Sequence, residues 1–140
     1  MVIVDSSVWI EAARRHGDIA CKVALESLLE EYEAAVCSPV RLEVLGGARK
    51  EERSGLAAGF ALIPYIEVIE STWTLALENA WRLRDAGLQA PWNDVLIASV
   101  SIEHGCRVYA RDKHFELMTQ AIAVRLYQPG YGGSFAPDSR

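Results

Sequence analysis

The chain has 140 residues, of which 51% are hydrophobic, and a formal net charge of −5 at pH 7. This length and composition are typical of one globular domain with a single core, and the negative charge argues against a protein that holds nucleic acid mainly through an overall positive field. No stretch approaches the roughly 20 apolar residues of a membrane-spanning helix, and Asp5 and Glu11 interrupt the opening apolar run too early for a signal peptide. We therefore expect a soluble cytoplasmic protein without a membrane partner.

The three cysteines are Cys21, Cys37 and Cys106, an odd number at wide spacing. They form no C-x-x-C pair and no Cys/His pattern typical of a zinc site. We expect them to be small buried hydrophobic residues.

The first predicted element is a short strand over Val2–Val4, which Asp5 follows directly. A buried parallel strand places the next residue at its carboxyl end, where open α/β sheets bind their ligands. Asp5 is also a favoured residue at a helix N-terminus, and Ser6 and Ser7 share that preference. Two roles for Asp5 remain open at this point, a helix cap and a ligand-binding carboxylate.

The next predicted elements are a helix over 19–33, a strand over 34–37 and a helix that begins at Ser38. In that last helix Ser38 is the expected cap, Pro39 the first helical residue, and Gly46-Gly47 the stop; it carries Glu43. The helix over 19–33 is predicted to be amphipathic. Its expected buried face consists of Ile19, Val23, Leu25, Leu28, Leu29 and Tyr32.

The second half of the chain continues to alternate predicted helices and strands. The helical stretches are 49–62, 71–84 and 94–104, and the strands are 65–69, 106–110 and 123–127. Asp94 falls in the first turn of its helix, and Asp112 follows the strand over 106–110. Such alternation favours a parallel sheet that is covered on both faces by helices.

Four acids, Asp5, Glu43, Asp94 and Asp112, therefore lie near strand ends or helix starts that face one edge of the sheet. Because these ends meet in a parallel sheet, we expect the four carboxylates to converge. The residues around them are strongly apolar, as in VLIASVSI and VRLEVL. A carboxylate in such surroundings needs a cation or a proton.

Each acid also has a local explanation when it is taken alone. Asp94 would interact favourably with a helix dipole, and Asp112 could cap a helix that begins at Lys113. Glu43 could pair with a nearby cation on the surface, and the candidates are Arg41 and Lys50.

The three histidines, His16, His104 and His114, show no H-x-x-x-H spacing that would support a tetrahedral metal site. An all-oxygen site suits Mg²⁺ or Mn²⁺, ions that usually serve phosphoryl chemistry by activating water for in-line attack and by stabilising the leaving oxygen. A phosphodiester substrate is therefore expected.

These motifs together resemble the PIN-domain ribonucleases, and more narrowly the VapC toxins of type II toxin–antitoxin pairs. VDSSVWIE is similar to the first motif of that family and SPVRLEVLGG to the second, with Asp5 and Glu43 as their acids. NDVLIASVSIEHG is similar to the third, with Asp94, and CRVYARDKHF to the fourth, with Asp112. The resemblance covers nearly the whole chain.

The resemblance implies a single three-layer α/β/α domain with a central, mostly parallel sheet, which we place at residues 1–128. The stretch over 129–140 contains Pro, Gly and Ser without periodicity and is expected to be a flexible tail. It implies an endoribonuclease that acts as a toxin, with Mg²⁺ or Mn²⁺ held by the four acids, Asp5, Glu43, Asp94 and Asp112. It also implies a homodimer and a small antitoxin that inhibits it.

Two residues depart from the family pattern near the fourth acid. Relatives often carry Thr or Ser two residues before it and Asp two residues after it, whereas this chain has Ala110 and His114. The contribution of Asp112 to metal binding is therefore left open, and Asp5 and Asp94 are the firmest ligand candidates. Phe115 keeps the usual aromatic residue and is expected in the core.

An RNA substrate needs cations near the acidic cleft, and a free base can stack on an aromatic side chain. The candidate cations are Arg14, Arg15, Arg41, Arg111 and Lys113. Trp92 is the stacking candidate, because Trp9, Trp73 and Trp81 fall at spacings that predict packing. A hydrogen bond from Ser7 could support Asp5.

Two other classes of function compete with a nuclease. One is a Mg²⁺-dependent phosphatase or phosphotransferase with Asp5 as nucleophile, although the haloacid-dehalogenase type requires an acid at the position of Ser7. The other is a non-enzymatic PIN-like binding module that acts through its partner. A short upstream reading frame that overlaps this one would favour a toxin–antitoxin pair.

Overall fold

Four parallel strands form the central sheet of the computed structural model, which describes residues 1–130. The strands are β1 (Val2–Val4), β2 (Ala34–Cys37), β3 (Tyr65–Ile66) and β4 (Arg107–Tyr109), in the order β3-β2-β1-β4. In the middle of the sheet, Ile3 of β1 is in register with Ala35 and with Val108. The first strand of the chain is therefore a central strand, with a neighbour on each side.

The described part of the chain contains seven α-helices, of which six lie between strands and the last follows β4. They are α1 (Ser6–Ala13), α2 (Ile19–Glu30), α3 (Ser38–Gly46), α4 (Arg53–Phe60), α5 (Glu70–Asp85), α6 (Trp92–Glu103) and α7 (His114–Met118), with a 3₁₀ turn at Lys50–Glu52 before α4. The range 49–62, predicted as one weak helix, is thus divided in two.

The side chains of β1 alternate between two separate hydrophobic clusters. Val2 and Val4 pack in a cluster with Leu28 of α2, whereas Ile3 packs in a cluster with Ile97 of α6. Helices α1 and α2 therefore cover one face of the sheet, and α3 to α7 supply the other. This arrangement confirms the predicted three-layer α/β/α fold.

Two predicted strands are shorter in the structure. After Ile66, the backbone N–H of Val68 donates to the Ser38 hydroxyl at 3.3 Å, so this segment leaves the ladder instead of extending β3 to residue 69. The stretch over 123–127 makes a single parallel bridge, Leu126 to Val108, beside β4. One edge of the sheet thus ends in an isolated bridge.

The predicted buried face of α2 is wrong in part. Leu25 and Leu28 are buried as expected, but Ile19 is 75% exposed, Val23 lies at the surface, and Tyr32 follows the helix with a φ of 57°. Small residues complete the true buried face, which consists of Cys21, Ala24, Leu25 and Leu28. The spacing of large apolar residues misled the prediction because two of the four buried residues, Cys21 and Ala24, are small.

The start of α3 also differs from the prediction. The cap position belongs to Cys37, and no side chain caps the helix there. The Ser38 hydroxyl instead accepts a hydrogen bond from Tyr65 at 2.9 Å and one from the backbone of Val68. Ser38 therefore joins α3 to the β3 segment.

The cysteines and Phe115 lie where the sequence predicts. All three cysteines are free and buried, and Phe115 lies in the core, as expected. No helix among residues 1–130 has the length and apolar content needed to cross a bilayer. Most of the predicted tail, residues 131–140, lies outside the described residues.

The observed buried face of α2 predicts a large loss of stability for one substitution on this helix and almost none for another. We expect Leu28→Ala to lower the free energy of unfolding by about 2 to 5 kcal/mol, because a fully buried side chain leaves a cavity. Ile19→Ala should change it by less than about 0.5 kcal/mol. Urea titration followed by circular dichroism measures both, and equal losses would contradict the assignment.

Candidate metal centre

The carboxyl edge of the sheet gathers the four predicted acids. Asp5 follows β1, Glu43 lies in α3 after β2, Asp94 lies in the first turn of α6, and Asp112 follows β4. Ligand atoms of Asp5, Glu43 and Asp94 all lie within 4.8 Å of one another, as do those of Asp94, Asp112 and His114. Asp94 belongs to both groups, so the two sets form one continuous cluster.

The two carboxylate oxygens of Asp5 have different environments. Oδ2 accepts hydrogen bonds from the backbone N–H of Ser7 at 3.2 Å and from the Ser7 hydroxyl at 2.6 Å, which makes Asp5 the cap of α1. Asp5 is only 2% exposed, yet its buried Oδ1 has no hydrogen-bond partner among residues 1–130. One oxygen thus serves the helix, and the other is available to a ligand.

Glu43 is oriented by two neutral donors. Ser6 donates from its hydroxyl to Oε2 at 3.2 Å, and the Asn93 amide donates to Oε1 at 2.5 Å. In the described part of the chain no ion pair joins Glu43 to a cation, so the surface pairing considered from the sequence does not form. Asn93 was missed as a functional candidate, because only the fold brings the start of α6 beside α3.

His114 is the second residue that the sequence interpretation missed. Its Nδ1 lies 2.8 Å from Oδ2 of Asp94 and 3.6 Å from Oδ1 of Asp112. Asp112 Oδ1 accepts a hydrogen bond from the backbone N–H of His114 at 3.0 Å. The helix that Asp112 was expected to cap begins at His114 instead of Lys113, and Lys113 holds the cap position. An H-x-x-x-H pattern does not reveal this site, because the partners of His114 are acids and one of them, Asp94, lies on another helix.

Burial raises the pKa of Asp5 to about 6, against the opposing effect of its Ser7 hydrogen bonds and with the help of negative charge on Asp112 and Asp94. Burial likewise raises the pKa of Asp94, with a further contribution from Asp112, while His114 acts in the opposite direction. A bound cation would relieve this repulsion. The unpaired Asp5 Oδ1 and the oxygen-rich donor set therefore fit a divalent metal ion.

The candidate cations mostly have partners of their own. Arg14 pairs with Glu11 at 3.1 Å, and Arg111 pairs with Asp18 at 2.8 Å. Arg41 lies over the Tyr65 ring, 5.3 Å from its centroid. The other two candidates, Arg15 and Lys113, have exposed side chains.

The tryptophans differ from the prediction. Trp9 packs as expected, edge-on against Phe60 with ring centroids 5.1 Å apart. Trp73 and Trp81, expected to be packed, are 56% and 57% exposed on α5. Trp92, two residues before Asp94, is 78% exposed and lines a groove of about 890 Å³ together with Trp81.

Comparison with known proteins matches the PIN domain to residues 2–120 of this chain. Ribonuclease VapC11 of Mycobacterium tuberculosis is 30% identical over 126 residues, which cover 86% of this chain and 92% of that relative. Ribonuclease VapC32 of the same species is 32% identical over 126 residues, covering 90% and 96% respectively.

Solved structures show the same fold. VapBC2 from Rickettsia felis, bound to a DNA fragment from its promoter, superimposes with a TM-score of 0.74 at 22% identity over 90% of this chain and 97% of that one. FitAcB from Neisseria gonorrhoeae gives a TM-score of 0.77 at 18% identity, over 92% and 98%.

The raised pKa of Asp5 predicts a pH-dependent effect of Asp5→Asn on stability in the absence of metal. The raised pKa means that the folded state binds the Asp5 proton more tightly than the unfolded state does. Protonation of Asp5 therefore stabilises the fold, fully below about pH 4, and this contribution is lost as the pH rises through about 6. Relative to wild type, we expect Asp5→Asn to gain about 2 to 3 kcal/mol between pH 4 and pH 8. Denaturant titrations in EDTA measure this difference, and equal values at both pH values would contradict it.

Proposed function

The chain belongs to the PIN-domain family, and on that premise we propose that it is a metal-dependent endoribonuclease that acts as the toxin of a toxin–antitoxin pair. The observation that carries this proposal is the buried Asp5 Oδ1, which has no protein partner among the described residues and lies in a cluster of carboxylates. Such an atom is costly to keep unless a cation binds to it.

In this proposal, Asp5, Glu43, Asp94 and Asp112 hold Mg²⁺ or Mn²⁺. When bound, the cation supplies positive charge at the phosphate and makes water a stronger nucleophile. Ser7 fixes Asp5 so that Oδ1 faces the cluster, and Ser6 and Asn93 hold both oxygens of Glu43. These carboxylates orient a water for in-line attack on phosphorus, which breaks the bond to the leaving oxygen.

Residues beside the cluster can hold the RNA on either side of the scissile phosphate. Trp92 stands at the start of α6 with most of its ring exposed, so a base adjacent to the scissile phosphate can stack on it. Arg15 and Lys113, on segments that follow or adjoin the acidic motifs, offer charge to flanking phosphates. The cations already paired with acids contribute less.

The partners follow from the relatives. Ribonuclease VapC11 and Ribonuclease VapC32 are named as ribonucleases, and the R. felis structure is that of a VapBC complex. We therefore propose RNA as the substrate and a small antitoxin protein as the inhibitor. A toxin that cuts the RNA of its own cell acts in the cytoplasm.

We also propose that the protein forms a homodimer through α5. Trp73, Leu77 and Trp81 recur every four residues along this helix and form one stripe, each more than half exposed. Contiguous exposed apolar side chains often mark protein interfaces. A two-fold axis would bring the same stripe of two copies together.

The nuclease proposal predicts that the purified protein, freed of any partner, cleaves total cellular RNA with Mg²⁺ or Mn²⁺ and not with EDTA. Asp94→Asn should lower the rate by about a hundredfold or more, because several kcal/mol of charge stabilisation are lost. Gel electrophoresis of the RNA and isothermal titration with Mn²⁺ measure cleavage and metal binding separately.

Glu26→Gln is the matched control for this assay, since Glu26 is an exposed acid on α2, which covers the opposite face of the sheet from α6, and should leave the rate unchanged. Metal binding without cleavage of any RNA would favour the non-enzymatic binding module. Cleavage that persists in EDTA would contradict the metal-dependent mechanism.

The dimer proposal predicts that the wild type has twice the chain mass of 15.5 kDa in solution. The Trp81→Glu variant should instead be a monomer with the mass of one chain. A charge on the stripe would be buried without a partner, which costs several kcal/mol. Light scattering after size exclusion measures the mass. Leu62→Glu, which alters an 86% exposed residue after α4, is the control and should remain dimeric.

A further inference from the structure

His114 brings an imidazole into a cluster that otherwise consists of carboxylates. Its Nδ1 lies 2.8 Å from Asp94 Oδ2 and 3.6 Å from Asp112 Oδ1. Adjacent ligands of one octahedral ion, each about 2.1 Å from it, lie about 3 Å apart. The ligand atoms of Asp94, Asp112 and His114 all lie within 4.8 Å of one another, which is close enough for the three residues to share an ion.

The position of His114 is fixed by the core beneath it. His114 is the first residue of α7, and the next residue, Phe115, is 1% exposed. Met118, one turn later, is fully buried, so α7 is anchored on its inner side. The backbone N–H of His114 also donates to Asp112. Packing and a backbone hydrogen bond therefore anchor the backbone that carries the imidazole, and the ring itself contacts Asp94.

The cluster contains two donor sets of different chemistry that share Asp94. The set of Asp5, Glu43 and Asp94 is made entirely of oxygen, whereas the set of Asp94, Asp112 and His114 includes a nitrogen. Mg²⁺ binds oxygen and accepts nitrogen poorly, while imidazole suits first-row transition ions. The unpaired, buried Asp5 Oδ1 independently indicates that the cluster as a whole binds a cation.

We propose that His114 is a metal ligand at the Asp94–Asp112 end of the cluster and makes this end selective for a first-row transition ion such as Mn²⁺ over Mg²⁺. This inference rests on the proposed function in one respect, that the acidic cluster binds a divalent ion. It assigns a metal-binding role to a residue outside the four acids.

The competing role for His114 is that of a hydrogen-bond donor that only orients Asp94. In that role its Nδ1 carries a proton and does not contact the ion. The two roles differ in one observable property, the magnetic coupling between Mn²⁺ and the imidazole nitrogen. A direct bond gives strong coupling, and a hydrogen bond to a carboxylate does not.

Pulsed electron paramagnetic resonance of the tag-free protein loaded with Mn²⁺ measures this coupling. We expect a ¹⁴N signal in the wild type that changes to that of ¹⁵N when the protein is grown with ¹⁵N-histidine. We expect the signal to disappear in His114→Asp, which replaces the nitrogen by a carboxylate. The double variant His16→Gln/His104→Gln should keep it, because His114 is then the only histidine of the chain.

Titration with Mn²⁺ and with Mg²⁺ gives a second, independent measurement. The ratio of the Mn²⁺ affinity to the Mg²⁺ affinity should fall by about tenfold or more in His114→Asp, because the nitrogen donor is lost. If His114→Asp fails to fold, the labelled double variant still decides whether His114 binds the ion.

RNA cleavage measured on the same samples separates this inference from the proposed function. Mn²⁺ bound without a histidine nitrogen signal would overturn the role of His114 and leave the nuclease proposal intact. A nitrogen signal without RNA cleavage would support His114 as a ligand and count against the nuclease. No binding of Mn²⁺ at all would overturn both.

Discussion

A buried carboxylate with only one satisfied oxygen is the constraint on which the candidate site depends. Asp5 stands at the end of the central strand β1, where its Oδ2 accepts two hydrogen bonds from Ser7 and its Oδ1 accepts none from the described residues. An unsatisfied buried polar atom costs about 1 to 3 kcal/mol. Packing of the hydrophobic clusters around β1 offsets this cost, and the unpaired oxygen is available to bind a cation.

Parallel pairing turns this local feature into a cluster. Because β1, β2 and β4 run in one direction, the residues after each strand meet at one edge, and the first turn of α6 returns to the same edge. Asp94 there is 8% exposed, so its carboxylate is largely removed from water and burial raises its pKa. Every additional acid strengthens the repulsion, and with it the attraction for a metal ion.

The sequence was sufficient for the layers, the parallel sheet and the acids that converge at its edge, because hydrophobic runs and strand ends follow simple periodicities. It was insufficient where a contact depends on the relative placement of two elements. Asn93 meets Glu43 across 50 residues, and His114 meets Asp94 across 20. Burial by small residues was equally hidden, since Cys21 and Ala24 form the inner face of α2 while Ile19 is exposed.

The site also has a rigid part and a part that can vary. Asp5 and Asp94 lie on elements anchored in the core, whereas Asp112 and His114 lie on the short segment from the end of β4 to the first residue of α7. Ser7 joins the two parts, since its hydroxyl donates to Asp5 and accepts from the backbone N–H of Arg111. A substitution in that segment can therefore change the donor chemistry at one end of the cluster while the sheet keeps Asp5 and Asp94 in place. Because His114 lies in that segment, the role proposed for its imidazole would alter the choice of ion at this end of the cluster without altering the fold.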